Sequence, residues 1–321
     1  MKRKNLIRGL AWVGGVVVVL SVAVGGVLGV LLYPWLALPD EPESVIATRW
    51  QKAEAMARVP EPSGDDRLLL EAAEAMRGFD PPRATKGDVP YLGRDQLTKP
   101  QETALDSLSR WFQAGAHYVP PECLGRGRRE NAALPSFRLG QAALYTAHDA
   151  EDLPQVEAVL ALAQQQRQVG RLVDMAIGFS LADTAARWSK ERSVAFPPRF
   201  ERYRPKVAEI RGGIARDVVC IHGMMTGGTP PMSLAPGHGS GPPLGIVRMK
   251  RERLVYEQTH GRLLEFAEGT GNDWKKMAAE YERVASDHPK SVLLEAIGFY
   301  GPVIEKAGQN TEHYDTLVPK P

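Results

Sequence analysis

The sequence predicts an all-α protein with a single N-terminal transmembrane helix followed by an irregular multi-helix ectodomain. Three observations lead to this prediction. An uncharged apolar run covers residues 9–38. In most later segments apolar side chains recur at helical spacing, and turns rich in Gly and Pro separate these segments. The period-two alternation of half-buried strands, closed by hairpin turns, is missing along the chain.

The apolar run is long enough to cross a bilayer. A helix rises about 1.5 Å per residue, so roughly 20 apolar residues span the hydrocarbon core. Basic residues crowd the tail 1–8, and acidic residues follow the run between Asp40 and Glu43. Because positively charged flanks stay in the cytoplasm, we expect a bacterial inner-membrane protein with a periplasmic C-terminal domain. Residues 9–38 would then have the lipid bilayer as their partner.

A cleaved signal peptide is the alternative explanation of this run, since it shares the basic start. Its apolar core is usually only about 7–15 residues long and ends at a small-x-small cleavage site. The run here is longer and ends at Leu38-Pro39 with no Ala-x-Ala pattern. We therefore expect an anchor that is not cleaved.

Small residues recur every four positions within the run, at Ser21, Gly25 and Gly29. Residues at this spacing share one helix face and allow two membrane helices to approach closely. The pattern therefore suggests a homodimer through this face. The alternative is that small residues merely fill a single-pass helix.

The charges of the chain exclude one class of partner. It carries 40 Lys and Arg against 38 Asp and Glu, and its net charge is +2. Four of the basic residues lie in the tail 1–8, so the exported part is close to neutral. A near-neutral domain lacks the basic surface of a nucleic-acid binder, and we expect no nucleic acid as partner.

Both cysteines, Cys123 and Cys220, fall in the exported part. An even pair in an oxidising compartment predicts one disulfide between them. The alternative is two buried thiols that pack as small apolar side chains.

Residues 39–134 are predicted to form a linker and an N-terminal helical region with long loops. The linker is a short acidic spacer, and Pro60 and Pro62 end the first helix. Helices are expected over three segments, 44–58, 67–77 and 101–116.

Residues 135–308 are predicted to form the main helical domain. Val156, Val159, Leu160 and Ala163 follow the i, i+3, i+4, i+7 spacing of a one-sided apolar face, and Asp152 with Pro154 marks the start of that helix. Short turns make it an antiparallel neighbour of the helices on either side. The remaining elements are helices near 136–147, 173–188, 200–225, 246–267, 272–287 and 291–307, a Gly/Pro-rich loop at 227–245 and a polar tail at 309–321.

Three short stretches carry a family resemblance: Phe137 to Tyr145, Leu172 to Gly178 and Phe196 to Phe200. The chain resembles uncharacterised single-pass bacterial membrane proteins with helical, distantly TPR-like ectodomains. The likeness covers about the middle half of the chain and rests mostly on periodic apolar positions. It implies the fold class and the anchored topology, and it implies no activity. The strict period of about 34 residues of a true TPR array is not visible.

The segment from Asp217 to Gly228 is the strongest candidate for catalysis. Its His222-Gly223 pair is similar to the turn that forms the oxyanion hole of α/β-hydrolases, which also need a serine in a Gly-x-Ser-x-Gly turn. That serine motif is missing downstream, because Ser240 lies in the wrong register. The competing explanation is a helix C-terminus at which Gly223 ends the helix.

Metal binding is the second candidate chemistry. Cys123, Cys220 and His222, together with His117, could supply a two-Cys, two-His zinc site, although neither spacing is a common ligand pair. A softer set would combine His222 with Met224, Met225, Met232 and His238, since thioethers select Cu(I). A disulfide would consume both thiolates, and we expect no metal or other cofactor.

The expected role is a non-enzymatic interaction or scaffold module of the bacterial envelope that engages another envelope protein. Stacked amphipathic helices offer grooves that suit partner binding. The alternative is a hydrolase or metal-binding protein centred on His222 and the 227–245 loop.

Overall fold

The computed structural model describes residues 40–59, 66–82, 88–115, 118, 133–226, 242–287 and 297–320. Within these ranges the chain forms ten α-helices and no strand. The predicted all-α class is therefore confirmed. Among the described helices, none is long and apolar enough to cross a membrane. The predicted span 9–38, with Ser21, Gly25 and Gly29, lies outside the described residues.

The helices are numbered here in chain order. They are α1 (Glu43–Ala57), α2 (Arg67–Ala75), α3 (Lys99–Gln113), α4 (Ala133–Thr146), α5 (Leu153–Val169), α6 (Leu172–Glu191), α7 (Val207–Thr226), α8 (Pro242–Gly269), α9 (Trp274–Asp287) and α10 (Ile297–Leu317). Short 3-10 segments cover Arg94–Gln96, Ala150–Asp152 and Pro198–Tyr203.

The predicted apolar face of α5 is confirmed, because Val156, Val159, Leu160 and Ala163 are all fully buried. Pro154 occupies the first turn of this helix, where its missing N–H costs nothing. Helix α5 packs closely against α6, as the short turn between them requires.

Two apolar clusters form the core, and α6 contributes to both. The first is built mainly from α2 to α6, with Leu181 and Trp188 on the α6 side. The second is built from α1 and α6 to α10, with Met175 and Phe179 on the α6 side. Trp50 of α1 belongs to the second cluster, so the two clusters do not follow the predicted division at residue 134.

The C-terminal part of the chain differs from the prediction. A polar tail was expected at 309–321, but α10 continues to Leu317. Tyr314 is buried, and the Arg204 guanidinium lies 5.4 Å from its ring centroid. The Nη1 atom of Arg204 also donates to Asp315 at 2.5 Å. Polar residues in this stretch therefore bind the body of the protein, and the tail prediction was wrong up to residue 317.

The segment after Pro198 also differs. A helix was predicted from Phe200, but a 3-10 segment ends at Tyr203 and α7 begins only at Val207. Pro205 lies between them, and its ring and missing N–H are incompatible with a continuous helix.

Gly178 allows α5 and α6 to approach closely. A Cβ atom at this position would lie 2.5 Å from the Ala163 carbonyl oxygen and 2.8 Å from Cγ of Arg167. Because the first of these is a backbone atom, a side chain could be fitted only by moving the helices apart.

We expect Gly178→Ala to lower the free energy of unfolding by about 1–3 kcal/mol, because overpacking outweighs the better helix propensity of Ala. Urea denaturation followed by circular dichroism measures this change. Gly223→Ala is the matched control, since nothing lies within 4 Å of a Cβ atom at Gly223. Equal losses in the two variants would contradict the close-packing argument.

Candidate functional site

His222 lies within a helix. Helix α7 runs from Val207 to Thr226, so the strand-and-turn explanation was wrong and the competing helical explanation is confirmed, although the helix continues three residues past Gly223. The spacing of buried residues explains why this segment is a helix. Every fourth residue is fully buried, at Ile210, Ile214 and Val218. The β-branched residues before His222 are typical of a strand, but here they form the buried face of a helix.

The side chain of His222 belongs to a compact polar cluster, named the His222 cluster, that also contains Trp50, Arg253 and Glu257. Nε2 of His222 lies 2.7 Å from Oε1 of Glu257, and Nε of Arg253 donates to the same oxygen at 2.8 Å. The Trp50 and His222 ring centroids are 4.7 Å apart. Three elements, α1, α7 and α8, therefore meet at this imidazole.

The Glu257 side chain is only 5% exposed, and burial alone would raise its pKa. The hydrogen bond from His222 and the charge of Arg253 outweigh burial, so the pKa of Glu257 is lowered. Glu257 therefore remains a carboxylate that fixes the imidazole. A carboxylate-oriented histidine is also the arrangement that acid–base and metal sites use.

A complete reactive site is not assembled around His222 in the described part of the chain. Groups of three or more His, Cys, Asp or Glu side chains that could hold a metal do not occur among the described residues. The side chains of Met224 and Met225, together with Ser240, Met232 and His238 of the predicted loop, lie outside them. The hydrolase and copper hypotheses at 227–245 therefore stay predictions.

Cys220 is disulfide-bonded and buried in α7. Nη1 of Arg171 donates to its Sγ atom at 3.1 Å. Since a disulfide sulfur carries no thiolate charge, Cys220 in this state offers no zinc ligand beside His222. Cys123 and His117 lie outside the described residues, so the pairing of Cys123 with Cys220 stays a prediction.

Two buried arginines, neither of which was predicted from the sequence, connect α5 and α7 to neighbouring segments. Arg167 of α5 is fully buried and donates to Glu209 of α7 at 2.8 Å. It also donates to the carbonyl oxygens of Gly178 at 3.2 Å and Tyr203 at 2.7 Å. The guanidinium therefore binds two backbone segments and one carboxylate at once.

Arg216 of α7 caps the C-terminus of α5. It donates to the carbonyl oxygens of Arg167 in the last turn of α5, at 2.9 Å, and of Gly170 just after that helix, at 2.6 Å; the last carbonyls of a helix have no partner within it. Burial lowers the pKa of Arg216 to about 10, so it is still charged at neutral pH. A cation at this position also interacts favourably with the helix dipole.

Two acidic residues of α6, Asp174 and Asp183, are both buried. Asp174 accepts hydrogen bonds from the Tyr118 hydroxyl and from the Arg171 backbone N–H, and burial raises its pKa. Asp183 pairs with Arg187 at 3.1 Å and with Nδ1 of His313 at 2.5 Å. Both therefore bind neighbouring segments to α6.

His260 of α8 is fully buried between the rings of Tyr256 and Tyr300. Its Nδ1 and Nε2 atoms have no hydrogen-bond partner among the described residues, and the same holds for the hydroxyl of Tyr281. Burial lowers the pKa of His260 from 6.5 to about 3. His260 therefore lies on the apolar side of α8, and neither of its ring nitrogens is paired within the described part of the chain.

The partners of His222 were not predicted from the sequence. Arg253 and Glu257 have the i, i+4 spacing of a helical ion pair, which signals a local contact but not the approach of α7. Trp50 lies far away in the chain, and nothing in its local sequence indicates that it meets His222.

Comparisons with known proteins add no relative to this description. The chain matches no protein-family model, and neither curated proteins nor solved structures gave a match.

We expect peptide mapping without reductant to join Cys123 to Cys220. Because the predicted disulfide closes a long loop, its reduction should lower the free energy of unfolding by up to about 4.7 kcal/mol. A variant with both Cys123→Ser and Cys220→Ser should be insensitive to reductant. Alkylation of both thiols in the untreated protein would contradict the pairing.

We expect acid to destabilise the protein through His260. The unfolded state takes up this proton near pH 6.5 and the folded state only near pH 3, so stability falls as the pH drops through that window. His260→Leu should flatten this pH dependence and leave stability at pH 7 equal or higher, because two unpaired nitrogens are removed. Urea denaturation between pH 7 and pH 4 measures both effects.

His313→Gln is the comparison variant: it removes a histidine that is 48% exposed and pairs with Asp183, so its stability should fall through the loss of that pair. This variant should keep the pH dependence that His260 causes. An unchanged slope in His260→Leu would show that other groups cause the acid sensitivity.

Proposed function

We propose that the chain is a membrane-anchored, extracytoplasmic helical protein and acts as a non-enzymatic interaction or scaffold module of the bacterial envelope. The anchor would be residues 9–38, with the N-terminus in the cytoplasm and the helical body in the periplasm. A second envelope protein would be the partner, and a homodimer through Ser21, Gly25 and Gly29 remains part of the proposal.

One observation carries this proposal: the helical body begins directly after the predicted anchor. Asp40 and Glu41 already form ion pairs with α1 and α8, at Arg49 and Arg262. Two apolar clusters then form the core of the body, and α6 contributes to both. A packed helical body fixed at the end of an anchor is suited to present a surface at a defined place.

The buried ionisable groups support a structural role for the interior. Arg167 and Arg216 bind backbone carbonyls of other segments. Asp174 accepts a hydrogen bond from the Tyr118 hydroxyl, and Asp183 pairs with His313 of α10. Their bonds hold the helices together. Exposed apolar side chains such as Phe299, which is 73% exposed, offer contact points for a partner.

A hydrolase or metal-binding function at His222 is the second candidate, and the pairing of His222 with Glu257 favours it. Hydrolysis of p-nitrophenyl esters by the purified protein, lost with both His222→Gln and Ser240→Ala, would support that candidate over the scaffold.

We expect periplasmic reporter fusions at residue 320 to be active and the protein to resist alkaline extraction from membranes, because an uncleaved anchor holds it in the bilayer. In the same cells a photo-crosslinker at Phe299 should give one reproducible adduct with an envelope protein. Glu305, an exposed polar residue of the same helix, is the control position.

Three results would contradict the proposal. A mature protein that lacks its first forty or so residues and is free of the membrane would remove the anchor. Cytosolic reporter activity would reverse the topology. Protein that stays in the membrane but gives no reproducible protein adduct at Phe299 would agree with the anchor and contradict the scaffold role of that surface.

A further inference from the structure

The first described residues are bound to the body by a network of ion pairs. Oδ1 of Asp40 accepts hydrogen bonds from Nη2 of Arg262 at 2.7 Å and from Nε2 of Gln258. Oε1 of Glu41 lies 3.1 Å from Nη2 of Arg262 and also accepts from Nη2 of Arg49 at 3.1 Å. Both acidic residues are therefore held on α8, more than 200 residues further along the chain.

Arg49 of α1 adds a further ion pair to this network. Its Nε atom donates to Oε2 of Glu265 at 2.7 Å, and its side chain is only 16% exposed. The aliphatic part of Arg49 crosses α8 at Gly261, where a Cβ atom would lie 2.9 Å from Cδ of Arg49. The set Asp40, Glu41, Arg49, Arg262 and Glu265 is named the latch.

The latch stays charged at neutral pH. The hydrogen bond from Arg262 lowers the pKa of Asp40, and the hydrogen bond from Arg49 lowers the pKa of Glu41. An isolated exposed ion pair stabilises little, but the latch links several charges on two packed helices. Its members therefore hold one another in position.

The latch also limits how far the body can be from the predicted anchor. The apolar run ends at residue 38, and two extended residues reach at most about 7 Å. Gln258 and Arg262 therefore lie close to the point where that run ends. A body on a flexible linker would not have this constraint.

The surface beside the latch has the chemistry of a bilayer contact. Val45 and Phe266 are each 42% exposed, and Phe266 follows Arg262 by one helical turn on the same face. Val45 also lines an open depression of about 280 Å³, together with Ser44, Thr48, Arg49, Lys52 and Glu265. The exposed Lys52 ammonium and the hydroxyls can bind a phosphate, and the half-exposed Glu265 carboxylate can bind an ammonium group. A zwitterionic headgroup carries both groups.

We propose that this face of α1 and α8 rests on the headgroup layer of the bilayer, and that the latch holds the body in that one orientation. The inference rests on the proposed membrane anchor and adds to it an orientation and a lipid-contacting surface. Val45 and Phe266 insert among the headgroups, and the depression takes a zwitterionic headgroup.

The test uses the full chain in proteoliposomes of phosphatidylethanolamine and phosphatidylglycerol. A photo-crosslinking phenylalanine analogue replaces Phe266, and in a control sample it replaces Tyr91, which is 65% exposed and stacks on His148. We expect several-fold more lipid adduct at Phe266 than at Tyr91. High salt should reduce this difference, because it screens the exposed charges of the latch.

Asp40→Asn combined with Glu41→Gln tests the latch itself. This variant should keep its helix content and membrane attachment, while the lipid adduct at Phe266 falls towards the level at Tyr91. Glu280→Gln is the matched control, because it removes an exposed pair with Arg283 on α9 and should leave the adduct unchanged.

The outcomes separate the two proposals. Equal adducts at Phe266 and Tyr91 in protein that stays in the membrane would overturn the orientation and leave the anchor intact. An unchanged adduct in the double variant would overturn the role of the latch. Protein that is lost from the proteoliposomes would overturn the anchor, and this inference with it.

Discussion

The structure depends on arginine side chains that satisfy backbone carbonyls far away in the chain. The last carbonyls of every helix have no partner within the helix, and burying one unpaired costs about 1–3 kcal/mol. Arg216 supplies two hydrogen bonds to the end of α5, and Arg167 supplies two more to Gly178 and Tyr203. One guanidinium has five donors in a fixed plane, so it can join several segments at once. Gly170, in the turn between α5 and α6, can therefore be buried.

Helix α7 also caps the C-terminus of α8, through Arg211. Nη1 of Arg211 donates to the carbonyl oxygens of Ala267 at 3.4 Å and Glu268 at 3.1 Å, at the C-terminus of α8. Helix α7 thus fixes the ends of two helices and also carries Cys220 and His222. The imidazole of His222 is oriented towards α8 because the helix that holds it is fixed on both sides.

The features that could be predicted from the sequence are those that depend only on the local spacing of residues. The buried face of α5 follows from the spacing of Val156 and Val159, and its start follows from Pro154, because both signals lie within the helix. The continuation of α10 could not be predicted in this way, since Tyr314 is ordered by contact with a segment more than 100 residues earlier. Capping by Arg216 is equally invisible, because an arginine within a helix is ordinarily a solvated side chain.

Helix α8 carries residues of both the latch and the His222 cluster, which no local sequence pattern connects. Successive residues of an α-helix differ by about 100° in direction, so Gln258 points away from the side that carries Glu257 and His260, which lie only about 60° apart. Glu257 faces His222, Gln258 faces Asp40, and His260 faces the second core cluster. Because a helix moves as one rigid element, a rotation of α8 that loosens Asp40 also displaces the carboxylate that orients His222. The latch and the His222 cluster therefore share one helix and lie about one turn apart on it.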